Sequence, residues 1–133
     1  MRSGSAAVEF ALLMPVFVLL LGGLLEFSWL FFTRSGLNAA AREGCRAGVL
    51  VDPEEIPDPE QVATEATDEW LARYHIRCAS EGARCIVSTE YIDKSPIESL
   101  RCTVTLDYRT LTGLVPAPET LKAVSEMRLE RQR

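Results

Sequence analysis

The chain has 133 residues, room for one modest domain and not comfortably for two. Hydrophobic residues make up 47% and charged residues 25%, and 14 Lys+Arg against 19 Asp+Glu leave a net charge of −5. An acidic surface without a basic cluster argues against nucleic acid as a partner. A single histidine leaves little for His-based catalysis or a His-rich metal site.

The apolar content is concentrated at the start. Residues 10–25 carry no charge across sixteen positions, and the run extends to Phe32, 23 residues in all, if Glu26 is tolerated. About 20 residues cross a bilayer core at ~1.5 Å per residue, whereas the apolar part of a secretory signal is only roughly 7–15 residues long. The run closes on Trp29-Leu30-Phe31-Phe32, an aromatic group suited to a membrane interface. The segment therefore reads as a retained membrane helix, with Pro15 near its first turns freeing a carbonyl. Glu9 and Glu26 bracket it, 17 residues apart, which is roughly 25 Å along a helix. Both carboxylates are expected near opposite interfaces. Arg2 alone precedes the helix, and Arg34, Arg42 and Arg46 follow it. By the positive-inside rule that distribution would leave the rest of the chain in the cytoplasm.

Around Glu9 the sequence runs Arg2-Ser3-Gly4-Ser5-Ala6-Ala7-Val8-Glu9-Phe10: a basic residue, a glycine, an acid five residues later, then an aromatic. This resembles the class III signal cut by prepilin peptidases. The continuation through Met14-Pro15, Glu26-Phe27 and Asn38-Ala-Ala-Ala-Arg-Glu-Gly44 is similar to TadE-type pseudopilins, minor pilin-like components of bacterial Tad (tight adherence, Flp-type) pilus systems, and Met127-Arg-Leu-Glu130 resembles them more weakly. The resemblance covers residues 4–48; residues 50–101 carry no motif of the family. It implies cleavage between Gly4 and Ser5, a leader of residues 1–4 that is short for this class, and an assembly role for Glu9 and Phe10. The partners implied are a prepilin peptidase, other Tad pilins and pseudopilins, and an inner-membrane assembly platform. It also implies that the leader stays inside and the C-terminal domain is exported, against the arginine count. The physics of Glu9 is compatible: an ionisable group at an apolar boundary needs a partner, and the new α-amine at Ser5 would lie one helical turn away or on a neighbouring subunit.

Beyond the membrane segment the helix is expected to continue to Val51, ended by Asp52-Pro53. Gly36, Ala40, Gly44 and Gly48 recur every fourth position and form a helix-packing stripe, expected against the protein's own sheet or else against a helix of another subunit. Eight acids and no base fall in residues 52–69, usually the mark of a solvated face; a cation site from Asp52, Glu54 and Glu55 matches no known loop.

Asp58 is positioned as an N-cap with Pro59 at the first helical position. Val62, Ala66, Trp70 and Tyr74, flanked by Ala63, Thr67 and Leu71, then define an apolar face ending near Arg77, with Trp70 as a core anchor. Residues 84–92 and 100–111 alternate as strands about an Asp93-Lys94-Ser95-Pro96 turn, and residues 121–130 alternate again. The fold class is α+β: a long N-terminal transmembrane and pilin-like helix (residues 5–51), then an extracytoplasmic domain (residues 52–133) with a second amphipathic helix and a three-stranded antiparallel sheet.

Four cysteines, Cys45, Cys78, Cys85 and Cys102, form no CxxC. An even count on a small exported domain reads as two disulfides, which three connectivities allow. Cys78–Cys85 across a short loop, with Cys45–Cys102 between helix and sheet, is the pairing favoured here. It would support export over the arginine count. Zinc held by His75, Cys78, Cys85 and another thiolate is the rival, but the spacing departs from close Cys pairs. No cofactor is implied. No GxSxG, HExxH or P-loop is present, so an enzyme is not expected. The expected function is structural: an inner-membrane, single-pass pseudopilin with its N-terminus cytoplasmic. The alternative is a membrane-anchored domain that binds a ligand or surface and is never processed.

Overall fold

The computed structural model describes residues 3–51, 58–74, 76, 78, 84–94, 97–113 and 116–129. The elements are α1 (Ser3–Val49), α2 (Pro59–Ala72), β1 (Cys85–Lys94), β2 (Ile97–Asp107) and β3 (Thr120–Arg128). They are the elements of an α+β chain with a long apolar N-terminal helix, a second helix and a three-stranded antiparallel sheet. Two compact units divide them: Met1–Phe32 with Arg109–Ala117, and Thr33–Tyr108 with Pro118–Arg133.

In the first unit α1 keeps its helix through Pro15. That proline removes one backbone donor and leaves a carbonyl unpaired one turn earlier. The apolar side chains are almost all open. Phe10, Leu12, Phe17, Leu20, Leu24, Phe31 and their neighbours are exposed, as a helix built to be covered by lipid or by other helices requires.

In the second unit the strands run in the order β1-β2-β3, antiparallel throughout. The register pairs Thr89 with Cys102 and Cys102 with Ser125. Period-2 alternation puts Cys85, Leu100, Cys102, Val104, Leu121 and Ala123 on the buried face. On the open face Glu90, Arg101 and Glu126 sit opposite one another in register. Arg101 bridges the two acids at 3.6 Å and 3.0 Å, an exposed network worth roughly 0–1 kcal/mol per pair.

The second helix begins where its cap dictates: the Asp58 side chain accepts from the Gln61 backbone N–H at 2.8 Å. It ends at Ala72, a turn earlier than its periodicity suggested. It lies along the free edge of β1. The Glu60 carboxylate accepts the Tyr91 N–H at 2.7 Å, and Thr64 and Thr89 share a hydrogen bond of 3.0 Å. An edge that would otherwise offer unpaired backbone groups is thereby covered.

The stripe that α2 buries is Pro59, Ala63, Thr67 and Leu71, one residue over from the expected Val62-Ala66-Trp70-Tyr74 row. The reason is close approach. On α1, a Cβ at Gly44 would meet Thr67 Oγ1 and stand 2.7 Å from the Ala63 carbonyl, and one at Gly48 would meet Leu100 and stand 2.6 Å from the Pro59 carbonyl. Only small side chains fit such a crossing, so the stripe rests chiefly on α2, with Leu100 its contact on the sheet. Trp70 is too large for that seam. It is half-buried and stacks on Tyr74 with ring centroids 4.7 Å apart. The core itself gathers Cys45, Ala63, Leu100, Cys102 and Leu129.

Candidate functional site: the apolar helix and its buried glutamate

The site residues indicated by the sequence lie mostly along α1. Gly4 and Ser5 are in its first turns, and Glu9 and Phe10 follow about one turn on, both on the open surface. Met1 and Arg2 lie outside the described residues, as do Asp52, Glu54, Glu55 and His75. Ala40, Gly44 and Gly48 are fully packed within the second unit, whereas at Gly36, which is half-buried, no described residue lies within 4 Å of an added Cβ.

Glu26 is expected near a membrane interface, but the sequence gives no partner for it; the structure buries it against the protein's own chain, leaving the residue 2% exposed. Its Oε1 accepts the Leu111 backbone N–H at 2.9 Å, and its Oε2 accepts both the Thr112 backbone N–H and the Thr112 hydroxyl at 2.8 Å. Burying such a polar group without hydrogen bonds would cost roughly 2–7 kcal/mol. The contact exists because β2 stops at Asp107, four residues before the expected Leu111. The Tyr108 N–H donates to the Glu119 carbonyl at 2.8 Å, closing the base of the excursion, and Gly113, at a φ of 69°, turns the chain within it. Alternation through Leu111 looked like strand, and nothing local ties Thr112 to a residue 86 positions earlier.

The four cysteines form two disulfides, Cys45–Cys102 and Cys78–Cys85, with Cα–Cα distances of 5.7 Å and 4.5 Å. Each lies in the ordinary range for a bridged pair. The thiolates of the zinc alternative are therefore engaged with each other. Among the described residues, no group of three or more His, Cys, Asp and Glu is placed to hold a metal ion.

On the second unit a shallow groove runs between α1 and the sheet, lined by Arg42, Arg46, Trp70 and Met127 among others. Asp68, on α2, has a buried Oδ1 with no hydrogen-bond partner among the described residues. Burial pushes its carboxyl above the usual carboxylate range.

Residues 4–46 match the family model described as TadE-like protein. No curated protein and no solved structure matches the chain. The matched stretch carries Gly4, Glu9, the apolar run, Glu26 and the first three residues of the small-residue stripe. This N-terminal third of the chain is TadE-like, consistent with a protein of Tad pilus systems, and its long apolar helix fits a membrane anchor.

Proposed function

We propose that this protein is a membrane-anchored pseudopilin of a Tad-type pilus, a minor structural or assembly component that a prepilin peptidase cleaves between Gly4 and Ser5. The observation that carries the reading is the exposure of α1: its apolar side chains from Val8 to Phe32 lie open over the stretch that matches the TadE-like family. Such a surface needs lipid before assembly and can be covered by neighbouring helices afterwards. In this reading residues 5–32 are the assembly segment and Glu9 pairs with the Ser5 amine, of its own or a neighbouring chain, to set the stagger between subunits. The partners are the peptidase, the other pilins and pseudopilins, and the inner-membrane platform. Two disulfides favour an oxidising compartment for the second unit, and therefore a cytoplasmic N-terminus.

A second reading, an anchored domain that binds a ligand or surface, is favoured by the groove at Trp70, where Arg42 and Arg46 stand one helical turn apart. The two readings separate on processing. Intact mass of membrane-extracted protein, with and without a co-expressed prepilin peptidase, should show loss of residues 1–4 only when the peptidase is present, and Gly4→Val should abolish that loss. An uncut chain under both conditions would leave the binding reading in its place.

A further inference from the structure

Glu26 is buried on a helix whose neighbouring side chains are open, Leu25 at 62% and Phe27 at 49%. What covers it is the Arg109–Ala117 segment of the same unit, through the Leu111 and Thr112 donors. The depth of that contact follows from the helix. A span of ~20 residues counted from Phe10 ends near Trp29, so Glu26 lies roughly 4–5 Å inside its end. Phe27, Trp29, Phe31 and Phe32, all exposed, carry the apolar surface further on. A loop held on Glu26 is therefore at the boundary between acyl chains and headgroups, not above it.

Irregular backbone at that depth is tolerated only where its N–H groups are satisfied. Glu26 satisfies two consecutive ones. The side chains of the loop suit the same place. Leu111 is 60% exposed although nothing polar accompanies it in the Leu111-Thr-Gly-Leu-Val-Pro116 sequence except one threonine, and Arg109 is exposed at the entry.

We infer that residues 109–113 are a second membrane-contact element: Leu111 enters the bilayer edge beside α1, Arg109 faces the lipid phosphates, and Glu26 is the positioning residue that holds this stretch at that depth. The partner is a phospholipid bilayer surface. The inference rests on α1 spanning a membrane, and the test separates the two.

The full chain is reconstituted into phosphatidylcholine vesicles in which a fraction of the lipid is brominated near the glycerol end of the acyl chains. Three single-tryptophan forms are compared: Trp29 alone (Trp70→Phe), Trp70 alone (Trp29→Phe), and Leu111→Trp with both native tryptophans replaced by Phe. A four-hydrogen mass deficit under non-reducing conditions verifies that each form keeps both disulfides. The expected result is that Leu111→Trp is quenched at least half as strongly as Trp29, with Trp70, in the second unit, as the reference. Adding Glu26→Ala should then lower quenching at position 111 at least twofold and leave Trp29 unchanged. Quenching of Trp29 without quenching at position 111 overturns the inference and leaves the anchor standing. Absence of quenching at both overturns the anchor, and the inference with it. Shielding of position 111 from aqueous iodide that grows with the protein-to-lipid ratio, without lipid quenching, would assign the loop to a second copy instead. Unchanged quenching in the Glu26→Ala form would remove Glu26 from its positioning role.

Discussion

Gly44 on α1 and Thr67 on α2 meet so closely that the two helices touch backbone to side chain. The Thr67 hydroxyl donates to the Ala63 carbonyl at 2.7 Å, and its oxygen occupies the place that a Cβ on Gly44 would take. This crossing holds the end of α1, from Thr33 on, within the second unit, because Cys45 and Gly48, one and four residues after Gly44, reach the core cluster and Leu100. A glycine in a helix interior costs about 1 kcal/mol relative to alanine, and close packing is what offsets it here.

Gly44→Ala should therefore destabilise the second unit by about 1–3 kcal/mol, the usual cost of overpacking, despite alanine's better helix propensity. Gly36→Ala is the matched control. Its Cβ would enter open space, so the same exchange should be neutral or stabilising by up to ~1 kcal/mol. Thermal midpoints of the detergent-solubilised chain, followed by Trp70 fluorescence in a Trp29→Phe background, should fall for Gly44→Ala and stay level or rise for Gly36→Ala. A Gly44→Ala form as stable as the parent would mean that the helices do not cross at this distance.

The two disulfides should differ in weight. Cys45–Cys102 closes 57 residues and Cys78–Cys85 closes 7. The chain-entropy model gives about 4 and about 2 kcal/mol respectively. Both Cys45 and Cys102 are moreover fully buried, whereas of the shorter bridge only Cys85 is, so replacing the long bridge with Ala leaves the larger cavity. The double variant Cys45→Ala/Cys102→Ala should unfold at clearly lower denaturant than Cys78→Ala/Cys85→Ala. Equal midpoints would show that the long bridge does not hold α1 to the sheet.

Much of the fold was legible because its signals are local. The N-cap at Asp58, the period-2 runs around Cys85, Cys102 and Ala123, and the uncharged stretch after Phe10 each specify an element without reference to the rest of the chain. What was not legible depends on pairs far apart in sequence. The buried row of α2 is set by glycines on α1, so the larger Val62-Ala66-Trp70 row, which looks more apolar, loses to the row that permits contact. Strand β2 ends at Asp107, and the Leu111 and Thr112 donors beyond it find an acceptor in Glu26; a carboxylate among leucines gives no local sign of which donors will reach it. Of the candidate site residues, Gly4, Ser5, Glu9 and Phe10 were readable as a motif, whereas the hydrogen bonds of Glu26 emerged only from the structure.

Asp68 gives the second unit a pH dependence. Its folded-state pKa is raised by burial, so the folded state holds the proton more tightly than the unfolded chain. The cost of ionising a half-buried carboxyl with an unpartnered Oδ1 is then fully present above the folded pKa. It is relieved as pH falls through that value toward the ordinary pKa of 3.8. Asp68→Asn should raise the denaturation midpoint at neutral pH, and the gain should shrink on acidification and vanish below the ordinary carboxylate pKa. A gain independent of pH would point to packing, not to charge.

Glu9 lies on the open surface of α1, among side chains as exposed as Phe10 and Leu12. A carboxylate at the edge of an apolar stretch costs free energy unless a cation meets it, and the Ser5 amine released by cleavage is the cation the proposed function supplies. Glu9→Gln keeps the size and polarity of the side chain and removes its charge. It should leave membrane insertion and peptidase cleavage within about twofold of the parent, because neither uses the charge pair, while reducing recovery of the chain with sheared pili by at least tenfold, the equivalent of ~1.4 kcal/mol in assembly equilibrium. Immunoblots of the membrane and sheared fractions from the same cells measure both quantities. Loss of cleavage in Glu9→Gln would move the residue into peptidase recognition, and undiminished recovery with pili would remove the charge pair from assembly.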